Sequence, residues 1–243
     1  MKIQYKLSKV FKVIDIFSGK VLDNVNVTSD KATFLVKGNG FYIAQNLENG
    51  VYETTFSLHG YEDKTLAFQI EESTEAVVEQ LISLIPAKKE LIYKQEGQLK
   101  NHKNKVLYYT LCCQEYKKRI TLDGEEGTNI LRLQMPEREE SALEGRYFAI
   151  ENGKNVHTLG KYNFVKNAHT VKETLKESIP VGKFAYLLFE TATNEKGEFT
   201  LLLPKHLMSE GENSIFIYVD GKTKLIPLTK KEISDGEKLQ IKM

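Results

Sequence analysis

Along the first third of the chain, short apolar and β-branched runs alternate with turn residues at a spacing that suits strands. Val10 to Phe17 reads as a strand closed by Ser18-Gly19-Lys20, and Asn24-Val25-Asn26-Val27-Thr28 puts Val25 and Val27 on one face. Lys37-Gly38-Asn39-Gly40 is a tight turn into Phe41-Tyr42-Ile43, because glycine tolerates positive φ. Asn46-Leu47-Glu48-Asn49-Gly50 turns the chain again into Val51 to Leu58, and Thr65 to Ile70 and Ala76 to Ile85 complete the series. About seven strands at a spacing of about ten residues, with no long helical pattern among them, predict a β-sandwich over residues 1–87.

The rest of the chain echoes this arrangement. Leu81 to Glu90 and Leu131 to Glu140 share a pattern, an alternating strand stopped by Pro and a charged linker. Proline cannot donate to a central ladder, so these segments predict domain boundaries. A small β unit is expected over 91–136, holding Val106 to Leu111, Arg119 to Leu122 and Ile130 to Met135. A second, diverged sandwich is expected over 141–243. There, Asn194-Glu195-Lys196-Gly197-Glu198-Phe199 and the later Gly211 mirror Gly38 to Phe41 and Gly50. Thr170-Val171-Lys172-Glu173 has capping-box spacing, Val171 and Leu175 lie four apart, and Pro180 follows, which predicts a short helix near 171–178. The fold class is therefore all-β: tandem sandwiches, a small intervening β unit and one short helix.

Three features taken together resemble the carboxypeptidase regulatory-like, or transthyretin-like, domain. They are Asp15-Ile16-Phe17-Ser18-Gly19-Lys20-Val21-Leu22 followed by Val25-Asn26-Val27, then Gly40-Phe41-Tyr42-Ile43 with Leu47-Glu48-Asn49-Gly50-Val51-Tyr52, and finally His59-Gly60-Tyr61-Glu62. The family pattern opens V-D-x-x-T-G-x-P-L-x-x-V-x-V, continues through N-G-x-Y and L-P-x-G-x-Y, and closes on x-G-Y. Here Ser18 replaces Thr, Val21 replaces Pro, and Glu48-Asn49 replaces the Pro-x pair. Asn194 to Leu203 is similar to the family's T-D-x-x-G-x-F-x-L-x-L-P segment. The resemblance implies seven-stranded Greek-key sandwiches serving as non-catalytic accessory, adhesive or structural modules. Related pilin and adhesin sandwiches carry Lys to Asn isopeptide links. Lys12 offers an amine, but Val77 to Ile85 contains no Asn, so no cross-link is expected.

Composition narrows the function classes. The 243 residues carry 34 Lys and Arg against 33 Asp and Glu, a formal charge of +1 that gives no general electrostatic case for nucleic acid or anionic lipid. The N-terminal lysines interrupt any leader-like apolar core, and no apolar stretch approaches the ~20 residues of a membrane span. The expectation is cytoplasmic synthesis without a signal peptide. Cys112 and Cys113 are adjacent in an apolar run, where one should be buried and one face outward, too strained to bridge each other.

No motif assigns chemistry. His59, His102, His157, His169 and His206 are scattered beside turns and charged runs, without metal-ligand spacing. There is no G-x-S-x-G elbow and no phosphate loop, and Asn26-Val27-Thr28 matches a glycosylation pattern only by composition. Catalytic, cofactor and metal residues are therefore expected to be none. The 12 Tyr and 12 Phe, with no Trp, read mainly as strand packing. Tyr108, Tyr109 and Tyr116 are the exceptions, since adjacency turns at least one ring outward, and they are the candidate interface.

The reading that follows is a non-enzymatic structural or adaptor protein that binds other protein subunits in a larger assembly. A phage-tail-like contractile particle is its narrower form, drawn from the family resemblance and the missing leader. The alternatives are a carbohydrate-binding or adhesive module, and a hydrolase accessory domain or small enzyme whose site forms only in three dimensions.

Overall fold

A computed structural model describes residues 6–71, 77, 79–134, 143–151 and 153–243, which form an all-β structure with one short α-helix. The chain divides into two compact units, Met1–Lys89 and Glu90–Met243. The first holds β1 (Leu7–Asp15), β2 (Asn26–Ser29), β3 (Phe34–Gly38), β4 (Phe41–Gln45), β5 (Gly50–Ser57), β6 (Lys64–Ile70) and β7 (Glu79–Leu84). The second holds β8 (Ile92–Leu99), β9 (Val106–Leu111), β10 (Lys117–Leu122), β11 (Ile130–Leu133), β12 (Tyr147–Ile150) and β13 (Val156–Asn163). It continues with β14 (Ala168–Val171), β15 (Phe184–Ala192), β16 (Glu198–Pro204), β17 (Glu212–Val219), β18 (Lys222–Thr229), α1 (Lys230–Ser234) and β19 (Leu239–Ile241).

In the first unit, Phe11 and Val13 project from one face of β1 and are fully buried. Their sheet runs β3-β4-β1-β7, with β1 and β7 parallel, and the other sheet runs β2-β5-β6. Phe11, Val13, Tyr42, Ile82 and Leu84 from the first sheet share one core with Tyr52, Phe56, Phe68 and Ile70 from the second. This is the expected sandwich. Phe11 meets Phe56 edge-on at 5.1 Å and Phe68 at 5.4 Å, contacts worth about 0.5–1.5 kcal/mol each beyond simple burial. β3 is a strand that the sequence reading lacked.

The turn after β1 is organised by Asp15. One carboxylate oxygen accepts from the Phe17 and Ser18 backbone N–H groups (3.0 and 2.7 Å) and from the Ser18 hydroxyl (2.8 Å). The other accepts from the Tyr61 hydroxyl at 3.1 Å. Burial, with Asp15 second, pushes the Tyr61 hydroxyl up to about 12. The Asp, Ser and Tyr of the quoted motifs thus meet at one carboxylate that fixes the chain's path.

The second unit contains a sandwich with the same core strand order. β8 lies between β16, antiparallel, and β19, parallel, as β1 lies between β4 and β7. β17 lies between β9 and β18, as β5 lies between β2 and β6. The seventh strand differs: β3 flanks β4, whereas β15 flanks β9 in the opposite sheet. The Tyr109 hydroxyl ties the two sheets together, donating to the Leu202 carbonyl (3.2 Å) and accepting from the Leu202 N–H (2.9 Å).

Between β9 and β16 the sandwich is interrupted. The pairings β10-β11-β14-β13-β12-β15 return from β15 to β10, so six antiparallel strands close a ring without a free edge. Register places Ile120, Leu131, Leu133, Phe148, Leu159, Val171 and Leu187 on the inner face, and all are buried.

Three expectations are corrected. Residues 91–136 do not form a unit of their own, and the second sandwich is not the span 141–243: β8 and β9 start that sandwich, while β10 to β14 belong to the ring. The likeness of Leu131 to Glu140 to Leu81 to Glu90 is consequently not a structural repeat, since β7 pairs in parallel with β1 and β11 pairs only antiparallel. The Pro136 to Glu140 linker itself lies outside the described residues. No helix forms over 171–178. Thr170 pairs with Ile130 in β14, and Glu173 accepts from the Thr158 N–H at 2.9 Å instead of capping. Leu175 is buried and donates its N–H to Thr128 at 2.8 Å. A helix of two turns is too short to hold against such pairing. The helix that does form, α1, has its own capping box, Thr229 with Glu232.

Gly40 and Gly197 do the same work in the two sandwiches. Each has positive φ, and its carbonyl accepts from the first strand, Val13 N–H at 2.9 Å and Leu99 N–H at 2.8 Å. A Cβ on Gly40 would lie 2.8 Å from the Val13 carbonyl oxygen, and one on Gly197 2.4 Å from that of Leu99. Gly40→Ala and Gly197→Ala are each expected to cost about 2 kcal/mol or more in urea denaturation. Gly211→Ala, with nothing within 4 Å of its Cβ, should stay within about 0.5 kcal/mol of the parent.

Candidate functional site

The sheet of the second unit runs without a break from the ring into the sandwich, and period-two alternation gives it one continuous outer face. Register places Tyr147 and Ala149 of β12 beside Leu188 and Tyr186 of β15. Glu190 of β15 pairs with Tyr108 of β9, and Tyr108 pairs with Tyr218 of β17. Tyr108 is the centre of this face. Its ring lies 4.9 Å from Tyr147 and 6.3 Å from Tyr218, tilted by 64° and 63°. Tyr186 and Phe216 stack on the same face at 5.2 Å and are buried, whereas Tyr108, Tyr147 and Tyr218 are half-buried. Tyr218 donates to the Lys154 carbonyl, which ties the sandwich strand to the ring's β12–β13 turn.

The electrostatics of the face are acidic. Burial first, then the Glu190 carboxylate and more weakly Glu173, raise the Tyr108 and Tyr147 hydroxyls, the latter to about 12. Burial and Glu151 take Tyr186 to about 12 as well. These hydroxyls stay protonated at neutral pH, and part of the upward shift comes from hydrogen bonds to the glutamates themselves, Tyr108 and Tyr147 to Glu190 and Tyr186 to Glu151. Lys117 sits over Phe184 at 4.0 Å and Tyr186 at 5.6 Å, at one margin of the face.

Of the three tyrosines expected at an interface, the structure places only Tyr108 on the surface. Tyr109 and Tyr116 are 2% and 3% exposed, so neither can meet a partner. Tyr109 is buried because it faces the opposite side of β9 from Tyr108, into the sandwich core. Tyr116 packs edge-on against Phe189 at 4.9 Å. Tyr147, Tyr218 and Glu190 were not singled out. Their signal was the alternation Tyr147-Phe148-Ala149 and Ile217-Tyr218-Val219, which sends the tyrosines to the face opposite the core.

The scattered histidines resolve differently. His157 and His169 are strand residues of the ring interior, sharing faces with Leu159 and Val171, and are not surface turn residues. His169 Nδ1 accepts from the Leu133 N–H at 3.4 Å, and the Arg146 guanidinium is buried 5.1 Å from the Phe189 ring centre. His157 packs 5.2 Å from Phe148, and its Nε2 has no hydrogen-bond partner among the described residues. Among those residues no three His, Cys, Asp or Glu side chains gather as a metal site. Cys112 and Cys113 are free thiols, both half-buried because β9 ends at Leu111 and the chain bends there. Lys12 is buried on β1 with its ammonium 5.6 Å from the Phe41 ring centre. No helix among the described residues is long and apolar enough to cross a membrane.

No protein-family model and no curated protein matches the chain. Among solved structures it is similar to the Bacillus anthracis TIE protein, at 13% identity and a TM-score of 0.27 over 98% of this chain. The chain spans 33% of that structure's length.

Two titrations follow from these surroundings. Burial lowers the His157 imidazole, an effect that Glu173 and Glu177 partly offset and Lys176 reinforces. Above the unfolded value of about 6.5 both states are neutral. As pH falls below it, the unfolded chain protonates first, so stability declines until the lower folded value is passed. His157→Leu should flatten the dependence of urea midpoint on pH between about 7 and 5. Burial likewise holds both thiols at about 11. In the native protein Cys112 and Cys113 should therefore react with iodoacetamide at least about tenfold more slowly at pH 7.5 than they do after unfolding.

Proposed function

We propose that the chain is a non-enzymatic structural or adaptor module that assembles with other proteins, and that the face centred on Tyr108, Tyr147 and Tyr218 is where it docks. The observation that carries this reading is the partly exposed tyrosine cluster spanning ring and sandwich on the side opposite both cores. Tyrosine combines apolar area with a hydroxyl that needs a partner, and it is enriched in protein interfaces. The sandwiches themselves read as carboxypeptidase regulatory-like modules. That assignment is supported by the turn roles of Asp15, Gly40 and Tyr61 and by the core strand order that both units share.

Carbohydrate binding is the second reading. It is favoured by the Glu190 and Glu173 carboxylates beside two tyrosine hydroxyls, which suit sugar hydroxyls. The tilts of 64° and 63° weigh against it, since the central Tyr108 ring forms a flat platform for a pyranose with neither Tyr147 nor Tyr218.

Pull-down from the native host should capture a partner that the folded Tyr108→Ala/Tyr147→Ala variant retains roughly thirtyfold more weakly, the scale of an interface centre losing about 2 kcal/mol. A wild-type chain that stays an inert monomer by light scattering counts against docking. A glycan-array hit abolished by the same substitutions moves the assignment to carbohydrate. For the narrower reading, tail sheath, tube or baseplate genes are expected beside this one, and a neighbourhood without them removes it.

A further inference from the structure

The hairpin between β13 and β14 carries an apolar tip that no core requires. Phe164 is 79% and Val165 97% exposed, the most open large apolar side chains among the described residues. Their presentation is ordered. Asn163 Oδ1 accepts from the Lys166 N–H at 3.0 Å, Tyr162 and Asn167 join across the turn, and Asn167 adopts φ +48. Phe164 meets the Tyr162 ring edge-on at 5.1 Å. A turn fixed in this way loses little conformational freedom on binding.

Tyr162 also lines a cleft of about 490 Å³ at the same end of the ring, with Arg119, Arg132, Gln134 and the half-exposed Val181. Among the described residues no carboxylate lies within salt-bridge distance of either guanidinium. The neighbouring carboxylate, Asp123, is held by the Val181 N–H at 2.5 Å. Exposed Lys161 and Lys166 flank the tip, and the hairpin from Val156 to Val171 holds no acidic residue. Two arginines with no ionic partner among the described residues, beside an ordered apolar knob, form a surface open to a complement in charge and in area.

We infer that this end of the ring is a docking site for an acidic protein segment, distinct from the tyrosine face. Carboxylates of the segment seat between Arg119 and Arg132, each taking the paired N–H donors of a guanidinium, and an apolar pocket of the same partner receives Phe164 and Val165. A protein segment fits better than a lipid surface. Arg132 is partly buried where it lines the cleft, which admits a protruding carboxylate, with exposed Arg119 beside it, whereas a headgroup layer is flat and two apolar side chains offer it little to embed.

The test is a displayed random-peptide library panned on the full chain, with the selected peptides measured by fluorescence anisotropy. Peptides rich in Asp or Glu next to an aromatic or aliphatic residue are expected. Their affinity should fall about tenfold or more in Arg119→Gln/Arg132→Gln and in Phe164→Ser/Val165→Ser, with unchanged melting temperature. Arg119→Lys/Arg132→Lys should recover only part of the loss, because an ammonium cannot pair bidentately. Selected peptides without acidic residues, binding indifferent to both double variants, or no enrichment at all would overturn the proposal. So would sedimentation with phosphatidylcholine vesicles containing phosphatidylserine that the same variants abolish while acidic peptides fail to bind, an outcome that assigns the surface to membrane.

Discussion

Strand β15 must satisfy the ring and the sandwich at once. Phe184 to Tyr186 pair with β10, Ala185 to Leu188 with β12, and Phe189 to Ala192 with β9. The first two contacts close the ring, and the third builds the edge of the second sandwich. Ala185 through Phe189 are all buried: the cores cover one side of the strand, and on the outer side Tyr186 and Leu188 are covered by the neighbouring side chains of Tyr108, Tyr147 and Phe216. A one-residue slip would exchange Tyr186 and Leu188 for Leu187 and Phe189, emptying the ring interior while burying the tyrosine face. Register in this strand therefore determines both the fold of the second unit and the composition of its candidate surface.

That dependence explains what could be read from the chain beforehand. Alternation sufficed wherever a strand's partner is near in sequence, as in β4 to β6, or where a turn motif such as Asp15 to Gly19 fixes the exit. β3 escaped notice because Phe34-Leu35-Val36 runs straight into the Gly38-Asn39-Gly40 turn and sits at a sheet edge with Leu35 and Val36 exposed. The ring was invisible because its closure depends on β10 meeting β15, a pairing that no local pattern encodes. The helix expected near 171–178 failed for the same reason: Thr170 and Glu173 have capping-box spacing, but β11 and Thr158 supply partners for them that the local chain cannot. At the site, Tyr108 was legible from the doublet with Tyr109, yet which of the two faced outward depended on Leu107 and Leu111 sharing the core with Tyr109.

The likeness between the two sandwiches lies in backbone constraints more than in side chains. Both place a positive-φ glycine against the carbonyl of the central first strand, where any Cβ collides. Such a glycine pins the turn into the next strand, so the strand order can persist while cores diverge and the seventh strand moves from β4's flank to β9's. The same tolerance accommodates an insertion between β9 and β16, because the six shared strands do not depend on which sheet the seventh joins.

The balanced charge of the whole chain conceals local separation. Glu190, Glu173 and Glu151 gather around the tyrosine face, while Arg119, Arg132, Lys161 and Lys166 gather at the end of the ring with the Phe164 hairpin. Because screening confines such fields to about 8–10 Å, each surface presents its own sign to an approaching molecule, and the total of +1 constrains neither. Two surfaces of opposite sign on one rigidly paired sheet suit partners of opposite character, and a like-charged partner at either is disfavoured by the same fields.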